Sequence, residues 1–352
     1  MNTIKDMSHL PFSNVSNCDL NDLLKCPASL NYLSEHLNFD LRNFLVKSNK
    51  YVTQSLDCSY YTCEEFNSRF NRCKHSFQFR IFHLNIRSLN SKIRAFCQLL
   101  DLLEIEFDVI VLSEIWTYNM EFYANILDGY CLYTDLPFNT SVGGVGMYIK
   151  KSLCSKLRND LQLSTSVDSR VENLWLEITK NNVRYIVGGI YRHPNSNLEE
   201  FTSLLEKNLS KIVRGKLPCF IAGNMNIDLL KVEKDRSVLN YANNLLIHSC
   251  LPTTLLPTRV TKTSATFIDH IYYYEGCYSK KGLKLASGNL LSDITDHFPT
   301  FVLLPCVINK TDMSDRPFIR LYTDRNKNKF HEHLSMVNWQ QGLYCYGDVN
   351  ML

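Results

Sequence analysis

From Phe77 onward the chain alternates short apolar runs with stretches whose apolar residues recur every three to four positions, the periods that separate strands from helices. FQFRIFHLN predicts a strand, and Ile93, Phe96, Cys97, Leu100 and Leu103 then fall at helical spacing before a second strand, FDVIVL. GGVGMYIK, LWLEIT and VRYIVGGIY predict further strands separated by polar turns. Gly143, Gly144 and Gly146 lead into a strand rather than a helix, so they read as a tight turn and not as a phosphate-cradling loop. Asn195 to Asn197 offer caps for a helix whose stripe is Leu198, Phe201, Leu204, Leu205, Leu209 and Ile212. The strand LPCFIAG follows, then an amphipathic helix from Ser237 to Ile247, then the strands TFIDHIYYY and PTFVLL. Strands alternating with helices predict an α/β fold.

The same periodicity sets expected borders. Residues 1–76, rich in Asn, Ser, Cys and Tyr without sustained period, read as a partly disordered extension dispensable for the core. Residues 77–305 read as the folded domain, and residues 306–352 as a polar, linker-like tail with one weak helix.

Composition changes this picture little. In 352 residues, 45% hydrophobic and 12% aromatic content is ample for a sizeable core. The net charge of +3, from 38 basic and 35 acidic side chains, is too small to argue for a nucleic-acid partner by itself. The 13 cysteines contain no CxxC pair, and Cys58, Cys63, Cys73 and His75 match no compact zinc knuckle, so reduced thiols in an intracellular, non-secreted protein are expected. No apolar run approaches the roughly 20 residues of a membrane span, so no membrane partner is expected.

Candidate chemistry sits at the strand ends, where open α/β sheets present their sites. Asn85 and Glu114 follow the first two strands, Tyr191 ends VRYIVGGIY, and Asn224 and Asn226 follow LPCFIAG. Asp269 lies in FIDHI, and Asp296 and His297 lie in SDITDHFP. A lone strand-end carboxylate such as Glu114 suffices to anchor magnesium, which keeps several waters, although taken alone it reads better as a solvated loop residue. Histidine beside carboxylates suits a base or a stabiliser of transition-state charge, with Asp269 the obvious partner of His297. His270 reads as structural. These residues are expected to converge in one cleft.

Taken in order, HLNIRSL, SEIW, GIYRHP, GNMNIDLL, PTR, SATFIDHI and SDITDHFP resemble the motifs of the endonuclease/exonuclease/phosphatase family with the DNase I-like fold, and most closely the apurinic-type endonuclease domain of non-LTR retrotransposons. The resemblance implies a four-layer α/β sandwich of two mixed β-sheets packed face to face with helices outside. It further implies nicking of DNA with Mg²⁺, or Mn²⁺ as the alternative ion, and hence nuclear access. By resemblance Glu114 is a metal ligand with Asn85 nearby, Tyr191 and Asn226 serve the phosphate and the water, and Asp269 pairs with His297 beside Asp296. Arg192, Arg259 and Lys262 are expected phosphate contacts, and no obligate protein partner is implied. The tail resembles the start of a linker to a reverse transcriptase. At residue 224 the family carries aspartate as base or water-orienting group, whereas this chain has an amide that cannot take up a proton. A slow DNA endonuclease is therefore expected, with a catalytically dead DNA-binding remnant or a phosphodiesterase of small phosphoesters as alternatives.

Overall fold

Residue 30 and residues 56–117, 120–137, 142–163, 171–261, 264–276, 285–306 and 324–336 are described by the structure, a computed structural model. The first strands are β1 (Leu56–Tyr61), β2 (Phe77–Asn85), β3 (Val109–Ser113), β4 (Tyr130–Asp135) and β5 (Val145–Lys150). Next come β6 (Cys154–Leu157), β7 (Val171–Lys180), β8 (Val183–Arg192), β9 (Cys219–Asn224) and β10 (Leu251–Pro252). The last are β11 (Arg259–Val260), β12 (Ala265–Thr266), β13 (Asp269–Tyr274), β14 (Leu285–Leu290) and β15 (Thr300–Pro305). The helices are α1 (Cys63–Phe70), α2 (Leu89–Leu102), α3 (Glu121–Ala124), α4 (Leu198–Gly215), α5 (Arg236–Ile247) and α6 (Asp324–Met336).

One sheet has the order β1-β14-β15-β2-β3-β5-β4 and the other β10-β13-β9-β8-β7-β6, with β11 and β12 forming a small ribbon. Both sheets are mixed, because β1/β14, β2/β3 and β8/β9 run parallel while the other pairs are antiparallel. The period of two along each strand sorts side chains into layers. On β2 and β3, Phe79, Ile81, Val109 and Val111 face Leu174, Leu176, Val187 and Phe220 of the other sheet. Phe82, Leu84, Ile110 and Leu112 point to the opposite side, against Phe96 and Leu99 of α2. The second sheet's outer face, Ile186, Ile190 and Ile221, meets α4 and α5 through Phe201, Leu205, Leu209, Val238, Tyr241 and Leu245. The result is a four-layer sandwich of helix, sheet, sheet and helix. Because both faces of each central strand are buried, these strands read as nearly continuous apolar runs.

Local signals explain the helix borders. Asn197 caps α4 by accepting from the amides of Glu199 and Glu200, and Asp235 does the same for α5. Burial of a large apolar side chain contributes about 1.5–3 kcal/mol, so the stripe of α4 outweighs propensity in holding that helix. Gly143 and Gly144 have φ of 106° and 88°, and form the turn that admits the chain to β5.

The expected domain border at residue 77 moves outward. β1 pairs in parallel with β14 over its whole length, and α1, closed by a Thr62–Glu65 capping box, buries Phe66 and Phe70 against Phe77 and Phe301. The extension therefore contributes an edge strand and a helix to the first sheet. A second unit, residues 308–352, holds α6. Among the described residues no helix is long and apolar enough to cross a membrane.

Candidate active site

Register places the polar strand ends side by side. Parallel pairing of β8 with β9 sets Tyr191 opposite Asn224, and antiparallel pairing of β9 with β13 sets Asn224 opposite Asp269, so these residues form one row across the second sheet. In the first sheet Asn85 stands opposite Ser113, which brings the next residue, Glu114, beside it. Asn85 Nδ2 donates to Glu114 Oε1 at 2.7 Å. The turns that present these groups use unfavourable backbone. Arg87, Glu114, Trp116 and Asn226 have φ of 43°, 56°, 48° and 51°, a region that asparagine tolerates but that costs the others of order 1 kcal/mol each. Backbone bonds from Ser88 N to Glu114 O (2.9 Å) and from Trp116 N to Gly143 O (3.0 Å) hold the turns in place.

A cleft of about 750 Å³ opens above the row, lined among others by Arg87, Glu114, Trp116, Tyr191, His193, Asn226, Arg259 and His297. At its floor Asp269 is fully buried and accepts from Thr258 Oγ1 at 2.7 Å, Asn224 Nδ2 at 2.9 Å and His297 Nδ1 at 2.7 Å. Burial alone would raise the Asp269 carboxyl, but the adjoining His297 outweighs it and holds the acid well below the usual carboxylate range. For His297 burial opposes the charge, while Asp269, Asp296 and Glu114 prevail and raise its pKa. With Nδ1 bonded to Asp269, the Nε2 edge of the imidazole is left for the cleft.

Asp296 is bridged by two guanidinium groups, Arg87 Nη1 at 2.6 Å and Arg259 Nε at 2.6 Å. Burial favours its neutral form, yet these two hydrogen bonds and the nearby His297 bring its pKa down to about 2. Burial, together with the charges of Glu114 and Glu172, raises the pKa of the Tyr191 phenol, which keeps it a donor. Asn226 lines the cleft and anchors through Nδ2 to Arg192 O at 2.7 Å.

Asn224 is wholly buried between these groups. Its Nδ2 is engaged by Asp269, and its Oδ1 has no hydrogen-bond partner among the described residues.

One expectation changes. Arg192 is no phosphate contact: its side chain is buried, with Nη1 donating to His193 O, Ser196 O and Ser196 Oγ at 2.8–3.0 Å, so it fastens the β8–α4 connection. Lys262 lies outside the described residues. His270 is structural, bonded to Phe267 O and the Tyr272 hydroxyl. Sequence reasoning missed Thr258, Arg87 and the pair Glu172–His193. In that pair His193 Nε2 lies 3.1 Å from both carboxylate oxygens and the ring meets Tyr191 edge-on at 4.7 Å. The T in LPTRVT and the R in LNIRSL were readable as polar residues beside the motifs, but Glu172 joins the site only through its register opposite Tyr191.

Comparison with known proteins places this site in a family. No curated protein sequence matches the chain. Similar solved structures include the endonuclease domain of TRAS1, a telomere-specific non-LTR retrotransposon (12% identity, TM-score 0.47, 65% of this chain and 99% of that chain). Danio rerio TDP2 complexed with a single-strand DNA product is 15% identical (TM-score 0.47, 65% and 99%). A mannosyl-6-phosphatase of Bacteroides thetaiotaomicron is 14% identical (TM-score 0.49, 65% and 100%). Residues 82–297, well over half of the sequence, match the endonuclease/exonuclease/phosphatase family, and this span contains the whole row from Asn85 to His297. Phosphoester hydrolysis is the chemistry of that group, and the chain belongs to the endonuclease/exonuclease/phosphatase family.

Proposed function

We propose that the chain is a divalent-metal-dependent DNA endonuclease of retrotransposon origin, slowed by the amide at residue 224. The observation that carries the reading is the opposition of a Glu114–Asn85 pair and a His297–Asp269 pair across one cleft. The retrotransposon origin is supported by the order of motifs from HLNIRSL to SDITDHFP.

The donor set suits a hard cation. Among the described residues no three His, Cys, Asp or Glu side chains form a metal cage, whereas one cleft-lining carboxylate, held by the Asn85 amide N–H, fits an ion that keeps most of its waters. Glu114, with Asn85 beside it, would hold magnesium or manganese, which when bound would neutralise phosphate oxygens. The chain's own groups do the rest. The Tyr191 phenol donates to a phosphate oxygen, and the imidazolium of His297, kept charged by Asp269, stabilises the negative charge that builds in the transition state. Asn226, with Nδ2 occupied by Arg192 O, offers its Oδ1 to orient a water.

What is missing is a proton acceptor at residue 224. A positioned base supplies roughly 10² to 10⁴ in rate, or about 3 to 5 kcal/mol of barrier. Conversion of supercoiled plasmid to open circle by the full chain, with Mg²⁺ and with EDTA, tests the proposal. Slow metal-dependent nicking that rises about 10²-fold in Asn224→Asp is the expected result. Equal rates for the two chains would remove the claim that the amide limits catalysis, and inactivity of both would favour a DNA-binding remnant.

A further inference from the structure

We propose that Arg87 and Arg259, joined through Asp296, form a two-guanidinium clamp for the phosphate flanking the scissile one, so that the chain takes polynucleotides rather than small phosphomonoesters. The inference rests on the phosphodiesterase reading above and deepens it. Both arginines line the cleft, and Asp296 Oδ1 lies 4.0 Å from His297 Nε2, which places the pair directly beside the proposed reaction centre. Successive phosphates of one strand of a duplex are separated by only about 3.4 Å along its axis, so a chain whose scissile phosphate meets His297 brings a neighbour within reach of the guanidiniums.

The geometry leaves donors for such a neighbour. Arg87 uses Nη1 and Arg259 uses Nε on Asp296, and among the described residues their other guanidinium N–H groups have no hydrogen-bond partner. Two guanidiniums on one carboxylate leave a net positive charge at the cleft, and the carboxylate fixes the angle at which the planar forks are presented. Stability does not account for the arrangement. The three side chains are 43%, 38% and 29% exposed, and ion pairs at such exposure contribute little, while the chain holds Arg87 and Ser88 at φ of 43° and 83° to deliver the first guanidinium. A small phosphomonoester has no flanking phosphate for the clamp to take.

The test is binding of a fluorescein-labelled 20-base-pair DNA duplex to the full chain in EDTA, where turnover does not interfere, as a function of salt. Each phosphate contact contributes about 0.9 to the slope of log K against log salt. Arg87→Gln with Arg259→Gln should lower the slope by about one, the share of the single phosphate they hold, and weaken binding at least tenfold. Arg259→Gln alone, which leaves the Arg87–Asp296 bridge in place, should lower the slope by about one, so the result does not depend on the fold of the double variant. Lysine at both positions keeps the charge and should return the native slope while losing the fork's affinity. A native slope in Arg259→Gln, or in a double variant that still melts cooperatively, would overturn the clamp and leave the DNA reading standing. Failure of the native chain to bind DNA even at low salt would remove both.

Discussion

Replacing Asn224 with aspartate does more than restore a base, because the new carboxylate would stand where an amide now donates to Asp269 Oδ1 at 2.9 Å. Two carboxylates at that spacing do not both stay ionised without a proton or cation between them, so one of the pair titrates late. Asn224→Asp should therefore gain activity most at pH 8 and above and least near pH 6, and should melt below the native chain when metal is absent. A pH-independent gain would show that the aspartate turns away from Asp269. The neighbouring ion pair has its own pH signature. The depressed Asp269 stabilises the fold above about pH 3.8 and loses that contribution as pH falls through its folded value, while the raised His297 stabilises it below about pH 6.5 and loses it as pH rises through its own. Their joint contribution is therefore largest between about pH 4 and 6.5. Thermal midpoints of the native chain should peak in that window relative to His297→Gln, and parallel curves for the two would refute the linkage.

At the scale of elements, β1 and α1 carry the largest difference between pattern and fold. Phe66 is wholly buried, with rings of Phe70 and Phe301 at 5.2 and 4.9 Å. Phe66→Ala should cost about 3–5 kcal/mol in urea unfolding, a range typical of a buried phenylalanine, and a chain starting at residue 77 should lose its cooperative transition because β14 is left as an open edge. A change under about 1 kcal/mol would return the segment to the status of a dispensable extension. The segment was hard to read because LDCSYY and CEEFNSRF are each too short and polar to show a period, and their apolar residues find partners more than 200 positions away in β15. Longer elements were legible for the converse reason. Phe77–Asn85 carries a buried face on both sides, and the stripe of α4 follows directly from a capping asparagine. Glu172 and His193 show how register hides chemistry: they are 21 residues apart, and only the pairing of β7 with β8, with Gly143 lacking a Cβ that would stand 2.9 Å from His193 Nε2, lets them meet.

For the whole molecule, the cleft exists because two sheets pack face to face and both deliver strand ends to one edge. Asn85 and Glu114 come from the first sheet, Tyr191, Asn224 and Asp269 from the second, and Asp296 and His297 from the loop that returns to β15. Strand ends could be located along the chain, but which ends share an edge is a property of the crossovers, and Arg192 shows the consequence. It follows Tyr191 directly, yet alternation turns it to the other face, where it is buried. A ligand that binds the folded domain and not the unfolded chain adds its binding free energy to the stability of the domain. Magnesium held by Glu114 at about 100 times its Kd should add about 2.7 kcal/mol, which for a domain of this size raises the thermal midpoint by about 5 to 10 °C. Glu114→Gln removes the anchoring charge while keeping the shape that Asn85 touches, and should lose most of that rise. The readout needs no turnover, so it stays informative in a chain whose chemistry is slow. Equal magnesium shifts in the native chain and in Glu114→Gln would place the cation elsewhere and remove Glu114 from the metal site.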